Sequence, residues 1–243
     1  MRPLTYAGAT LWSLAILSAV SCVGSSTTVT VTHPTAPSEM ENDTPMKRPF
    51  MFKEAKLPRG FPPPGPVGQI IVKDYPAYRL ARVRSGKEGV SGGPNAMFNP
   101  LFNHIKRNDI PMTAPVEISY PNRPHVADEK DRAHAESMAF LYGDPAWGKL
   151  GADDADHRVV VEDVPAMKVV SIGVRGSYTD AHFSRALSRL IEWIQARSNE
   201  FQVVGPPRYL GYNSPFVLGF LRYGEVQLPI EKVKAVSSPP LPP

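Results

Sequence analysis

The stretch MKVVSIGVRGSYTDAHFSRALSRLIEWIQAR, residues 167–197, holds a strand and a helix in one reading. Its first eight residues carry Val169, Val170, Ile172 and Val174, the β-branched composition of a strand. Thr179 or Asp180 then caps a helix. Along it Phe183, Ala186, Leu187, Leu190, Ile191 and Ile194 recur at helical spacing and form one apolar face, with Arg197 near the end. Two further strands are expected at about 202–212 and 217–230. The C-terminal half therefore reads strand, helix, strand, strand.

The same order appears upstream. Residues 69–83 read as a strand, with Ile70, Ile71, Val72, Tyr75, Tyr78 and Leu80 interrupted by Pro76. A Gly/Ser loop over 85–94 leads to a short helix that begins at Ala96 or Pro100 and ends at Arg107. Its apolar residues Phe98, Leu101, Phe102 and Ile105 follow helical spacing, and Pro100 suits a first turn capped by Asn99. Strands at 112–120 and 137–142 complete the half. Two βαββ halves predict an α+β domain over residues 68–231, a distorted antiparallel β-barrel with pseudo-twofold symmetry and two helices packed outside. Closure of that kind removes sheet edges. It also leaves a groove between each helix and the neighbouring strand loops, a common place for a small molecule.

Composition bounds the rest. The chain has 243 residues, 42% hydrophobic and 21% charged, the balance of a globular protein. Of its 27 prolines, many crowd into residues 34–66 and the last five positions. Residues 22–67 are therefore expected to be a disordered linker and 232–243 a disordered tail. A net charge of +4 comes from basic residues scattered along the chain, which argues against nucleic acid as a partner. One cysteine excludes an internal disulfide and every cysteine-based zinc motif. The six histidines show no metal-binding spacing. Residues 1–21, with Arg2 followed by an apolar run, have the shape of a secretory signal peptide and are too short for a membrane span. The run Leu17-Ser18-Ala19-Val20-Ser21-Cys22 resembles a bacterial lipobox, with Ala19 where leucine is usual. Cys22 would then carry the lipid, the alternative being ordinary cleavage that leaves a free thiol. The expected location is the periplasm or cell envelope, with the membrane a partner through the anchor.

Four motifs in order point to a family. They are Phe98-Asn99-Pro100-Leu101-Phe102-Asn103-His104-Ile105 followed by Ile110-Pro111-Met112-Thr113-Ala114-Pro115-Val116, then Met138-Ala139-Phe140-Leu141-Tyr142, Val170 to Gly176, and Gly211-Tyr212-Asn213-Ser214-Pro215-Phe216. The chain resembles the SOUL haem-binding proteins, a bacterial exported member of the GyrI-like fold superfamily, from about residue 69 to 231. The resemblance implies non-catalytic binding of haem, or a related flat tetrapyrrole, in a shallow apolar groove. Its walls would be Phe98, Phe102, His104 and Met112 on one side and Tyr212, Asn213, Pro215 and Phe216 on the other. Lys106, Arg107 and Arg222 are rim candidates for the propionates. Asn95 and Asn103 stand where animal members carry basic residues, so those propionate contacts do not carry over.

His104 is the candidate iron ligand, on a flank of the first helix where a solvent-facing role fits equally. His182 holds a similar place on the second helix. Met112 offers a thioether, although methionine entering a strand usually fills core. Two other functions stay open. One is GyrI-like hydrolysis of a small electrophile, with Glu117 and Glu225 as carboxylates; their structural alternative is pairing with Arg79, Arg82 or Arg222. The other is an envelope scaffold without a small ligand.

Overall fold

Each apolar run finds its partner in one antiparallel sheet. The computed structural model describes residues 51, 53–86, 89–91, 94–121 and 135–233. The signal segment, Cys22, most of the linker and the end of the tail lie outside the described residues. Ten strands are present, β1 Ile70–Tyr75, β2 Tyr78–Arg84, β3 Val116–Ser119, β4 Ser137–Leu141, β5 Gly151–Ala152, β6 Val159–Val164, β7 Met167–Arg175, β8 Phe201–Val203, β9 Arg208–Gly211 and β10 Tyr223–Lys232. Two helices, α1 Pro94–Arg107 and α2 Asp180–Gln195, join them. The strands lie in the order β1-β7-β10-β9-β3-β4-β2-β6-β5, with β8 attached to β10.

That order is symmetric about the β9–β3 contact. β2-α1-β3-β4 and β7-α2-β9-β10 are the two βαββ units, flanked by β6 and β1 respectively. The expected barrel is corrected: the pairings run as an open path from β1 to β5, and none among the described residues closes it. Pro76 explains part of this. It splits the expected strand 69–83 in two, and β1 pairs with β7 while β2 pairs with β4 and β6, so one sequence run serves both halves. β6, which opens with three valines and is not among the expected strands, takes the place beside β2.

Both helices cover one face. Met97, Leu101 and Ile105 of α1 pack on Ala81, Val83, Phe140 and Val161. Phe183, Leu187, Leu190 and Ile194 of α2 pack on Val170, Ile172, Val226 and Leu228. Ile118, in the central strand β3, touches both clusters. Burying side chains of this size is worth about 1.5–3 kcal/mol each, so these two faces fix where the helices sit. α1 starts at Pro94, which leaves Pro100 inside the helix rather than in its first turn. The missing Pro100 N–H costs one helical hydrogen bond. Burial of Met97 and Leu101 on either side offsets it.

The opposite face is covered by residues from within the expected linker 22–67, which are not disordered here. Phe61 meets Tyr75 and Tyr78 edge-on, with ring centroids 5.0 and 5.1 Å away. Met51 and Leu57 join Tyr75, Val169, Leu210, Tyr212 and Tyr223 in a third apolar cluster. Arg59 N donates to Gly143 O, and Ala114 N donates to Lys56 O, each at 3.0 Å. Residues 53–67 thus form a strap over the sheet. Among the described residues no helix is long and apolar enough to cross a membrane.

Candidate functional site

Val116 pairs with Gly211 across the antiparallel β3–β9 contact. Residues that precede Val116 and residues that follow Gly211 therefore leave the sheet together. This brings Met112-Thr113-Ala114-Pro115 beside Tyr212-Asn213-Ser214-Pro215-Phe216. Thr113 Oγ1 donates to Leu141 O at 2.5 Å, and Asn213 Oδ1 accepts from Tyr223 N at 2.9 Å. The strap closes the third side. Glu54 accepts from Ser214 N at 2.7 Å, Ser214 Oγ at 2.6 Å and Asn213 Nδ2 at 3.3 Å. Desolvation raises the Glu54 pKa, but these hydrogen bonds outweigh it and hold the carboxyl below its ordinary value. A cleft of about 520 Å³ lies between strap and sheet, with Met51, Leu57, Pro63, Pro64, Ala114 and Tyr212 as walls. Lys53 and Lys56, both exposed, also line it.

The expected groove walls are divided by the fold. Phe98 lies on the helix-covered face, stacked on Phe102 at 5.9 Å and edge-on to Phe140 at 5.1 Å. Tyr212 instead faces the strap, buried, with its hydroxyl donating to Glu225 Oε2 at 3.0 Å. Phe102 and Met112 are exposed, and Phe216, at 95% exposure, is the most open large apolar side chain described. Asn213 is buried and Pro215 exposed. Arg222 is spent locally, donating to Val217 O at 2.8 Å and Pro215 O at 2.6 Å. Arg107 donates to Asp153 at 3.0 Å, and Lys106 is exposed.

His104 is placed against the role expected of it. It is buried, Nδ1 is hydrogen-bonded to Asp153 Oδ2, and Nε2 lies 2.7 Å from the Tyr142 hydroxyl. Burial pushes the Tyr142 phenol up to about 12, so it keeps its proton and donates to Nε2. Nδ1–H then donates to Asp153, a tautomer assigned from the network. Neither ring nitrogen has a lone pair open to an iron. His104 is a lock between the end of α1 and the β5–β6 loop. Desolvation works to raise the Asp153 pKa, but donation from His104 and from the Ala155 and Asp156 amides depresses it far below the carboxylate range. In α2, His182 Nδ1 lies 2.9 Å from Ser177 O. Among the described residues no group of three or more His, Cys, Asp or Glu side chains gathers to hold a metal.

Glu117 and Glu225 flank Leu210 in one row across β3, β9 and β10 and so share the strap-covered face. Glu225 is fully buried. Oε1 accepts from Lys73 Nζ at 2.5 Å, Gly65 N at 2.6 Å and Tyr223 OH at 3.1 Å, while Oε2 accepts from Tyr212 OH and from Gln227 Nε2 at 3.1 Å. Glu117 accepts from Arg82, Arg208 and Tyr78 at 3.0–3.1 Å. Burial raises the Glu117 pKa, but Arg208 and Arg82 outweigh it and leave the carboxyl below its ordinary value. A general base at neutral pH needs the opposite shift. Of the three arginines expected as partners for this pair of carboxylates, Arg82 meets Glu117, Arg79 meets Asp163 instead and Arg222 holds neither, while Glu225 pairs with Lys73. These saturated carboxylates do not fit the hydrolytic reading.

The sequence pattern of the family described as SOUL heme-binding protein matches residues 68–229. The chain belongs to this family. Among curated proteins no sequence match was found. Among solved structures, the EcmrR C-terminal domain is similar at a TM-score of 0.50 and 14% identity, over 68% of this chain and 98% of that one. EcmrR in its DNA complex gives the same TM-score and identity, and there this SOUL family chain covers 58% of the matched chain. A hydrolase from Listeria innocua matches at a TM-score of 0.48 and 11% identity, over 69% of this chain and 94% of that one. At these identities the likeness is one of fold. Lys53, Glu54 and Lys56 were missed in the sequence because they lie in a proline-rich run with no periodicity, upstream of the family match.

Proposed function

We propose that this SOUL family protein binds a flat, amphipathic molecule bearing carboxylates, haem or a related tetrapyrrole, in the strap cleft. The observation that carries the reading is the cleft itself, formed where the two motif runs leave the sheet together and lipped by Lys53 and Lys56. Its volume lies in the range of small-molecule sites. Apolar walls suit the macrocycle, and two ammonium groups suit its propionates. Exposed Met112 and Phe216 extend the apolar surface from the same end of the sheet. The residues therefore fit the porphyrin skeleton; the reading gives an iron no ligand from His104. When bound, haem would supply redox or gas-binding chemistry through its iron, and the chain would supply the surface and the charge.

The test is a haemin titration of the full chain followed by the Soret band, with albumin as the control for unspecific adsorption. Saturable binding that falls at least about tenfold in Lys53→Glu/Lys56→Glu supports the cleft, because reversing two pairing charges removes at least one strong ion pair. Binding unchanged in that variant rejects it. We also propose that the signal over residues 1–21 and Cys22 place this binding at the cell envelope. Incorporation of labelled palmitate that vanishes in Cys22→Ser supports the anchor, and equal labelling of the variant rejects it.

A further inference from the structure

A second cleft of about 520 Å³ lies on the sheet face opposite the helices, with no lining residue shared with the strap cleft. Its floor is a row of four side chains on neighbouring strands. Arg208 of β9 stands opposite Ser119 of β3, Ser119 opposite Ser137 of β4, and Ser137 opposite Arg84 of β2. Directly opposed residues share one face, about 4.8 Å apart from strand to strand, so the four form a transverse line of guanidinium, hydroxyl, hydroxyl, guanidinium.

Arg208 is 95% buried, being 5% exposed. Its Nε donates to Gln227 Oε1 at 3.0 Å, and its Nη1 donates to Tyr78 OH at 2.7 Å and Glu117 Oε2 at 3.0 Å. Nη2 is buried without any hydrogen-bond partner among the described residues. An orphaned guanidinium donor is uncommon in a folded interior and asks for an acceptor. Ser119 Oγ and Ser137 Oγ accept from Arg82 Nη1 at 3.2 and 2.8 Å, which leaves their hydroxyl protons to donate. The floor thus offers donors from Arg208 Nη2 and the two serine hydroxyls, beside the guanidinium of Arg84. Arg82, Arg84 and Arg208 pair with Glu117 and Glu162, and the exposed carboxylate of Glu136 at the rim balances the third arginine, so it is the orphaned donor rather than net charge that favours an anionic head. The remaining wall is apolar, from Val164, Met167, Pro206 and Pro229.

We propose that this cleft binds an amphipathic monocarboxylate, its head on Arg208 Nη2 and the two serine hydroxyls and its apolar body along Met167 and Pro229. A carboxylate accepts several such donors at once, and hydrogen bonds to it are stronger than those to a neutral oxygen. The site is independent of the tetrapyrrole reading.

The experiment is an amide NMR titration of the full chain with octanoate, and with octanamide as the neutral counterpart. Saturable octanoate shifts at Ser119, Ser137 and Arg208, absent with octanamide, are expected. Ser119→Ala/Ser137→Ala should weaken octanoate at least about tenfold while haemin binding and the melting temperature hold. The variant removes two hydroxyls and leaves Arg82 its two glutamates, so it should fold; Arg84→Gln, at an exposed position, gives a second and smaller loss. Equal shifts with octanamide, shifts confined to the strap cleft, or no shifts at millimolar octanoate would each overturn the proposal.

Discussion

Replacing Lys73 by Met should destabilise the domain more than any exposed substitution. Lys73 Nζ lies 2.5 Å from Glu225 Oε1 and 2.9 Å from Pro63 O, and the side chains are 4% and 0% exposed. A buried ion pair need not stabilise a fold relative to well-packed apolar residues, because desolvation cancels much of the attraction. Removing one partner is different, since the other charge stays buried without compensation at a cost of about 3–5 kcal/mol. Here Glu225 would keep four neutral donors, Gly65 N, Tyr212 OH, Tyr223 OH and Gln227 Nε2, which places the loss toward the lower end. At about 3 kcal/mol, and about 2–4 °C per kcal/mol for a domain of this size, the midpoint falls by about 6–12 °C. The assay is scanning calorimetry of the full chain. Lys73→Met/Glu225→Gln should recover part of the loss, because it removes the orphaned charge. A single-variant loss under about 2 °C, or a double variant less stable than Lys73→Met, would refute this account of how the strap is tied to the sheet.

Three further outcomes follow from the same geometry. His104→Ala should retain the haemin Soret change, since neither ring nitrogen is open, yet melt earlier through loss of the Asp153 and Tyr142 contacts; a spectrum that loses its shift would restore the histidine as a ligand. Asp153 and Glu117 both have folded pKa values below their ordinary 3.8 and 4.5. The unfolded chain therefore takes up protons first, and the stability they contribute is complete above about pH 5 and lost as pH falls toward their folded values. Urea midpoints from pH 6 to 3 should show this fall, and Asp153→Asn should flatten it; an unchanged slope would contradict the assignment. Phe61→Ala removes two edge-on ring contacts and should cost about 1–3 kcal/mol, less than a fully buried phenylalanine because Phe61 is half-buried. A loss within error would show that the strap does not depend on that ring.

The two βαββ units were legible because both helices carry apolar stripes, from Phe98 to Ile105 and from Phe183 to Ile194, and because β7 and β10 are dense in β-branched or large apolar residues. Closure was not legible, since strand pairing is set by tertiary neighbours. Pro76 splits one run between two distant partners, and Val159 to Val161 pair with β2. The strap is hidden in the sequence for a related reason. Its prolines satisfy the pattern of an extended linker, while its fixation depends on single contacts from Glu54, Phe61 and Gly65 that no periodicity reveals. His104 failed as a ligand because helical angle gives a residue's direction and says nothing of Asp153 and Tyr142, 49 and 38 residues away. Glu117 and Glu225 are legible as carboxylates in strands, and Arg82 as one of three candidate partners for them; Lys73 and Arg208 needed the register.

Gallium protoporphyrin, diamagnetic and shaped like haem, can be titrated into the labelled full chain while backbone amides are followed by NMR. Binding in the strap cleft predicts saturable shifts at Lys53, Lys56, Ala114 and Tyr212 with little change at Ser137 or along α2. Shifts confined to α1 around Phe102 and His104, or none that saturate, would contradict it.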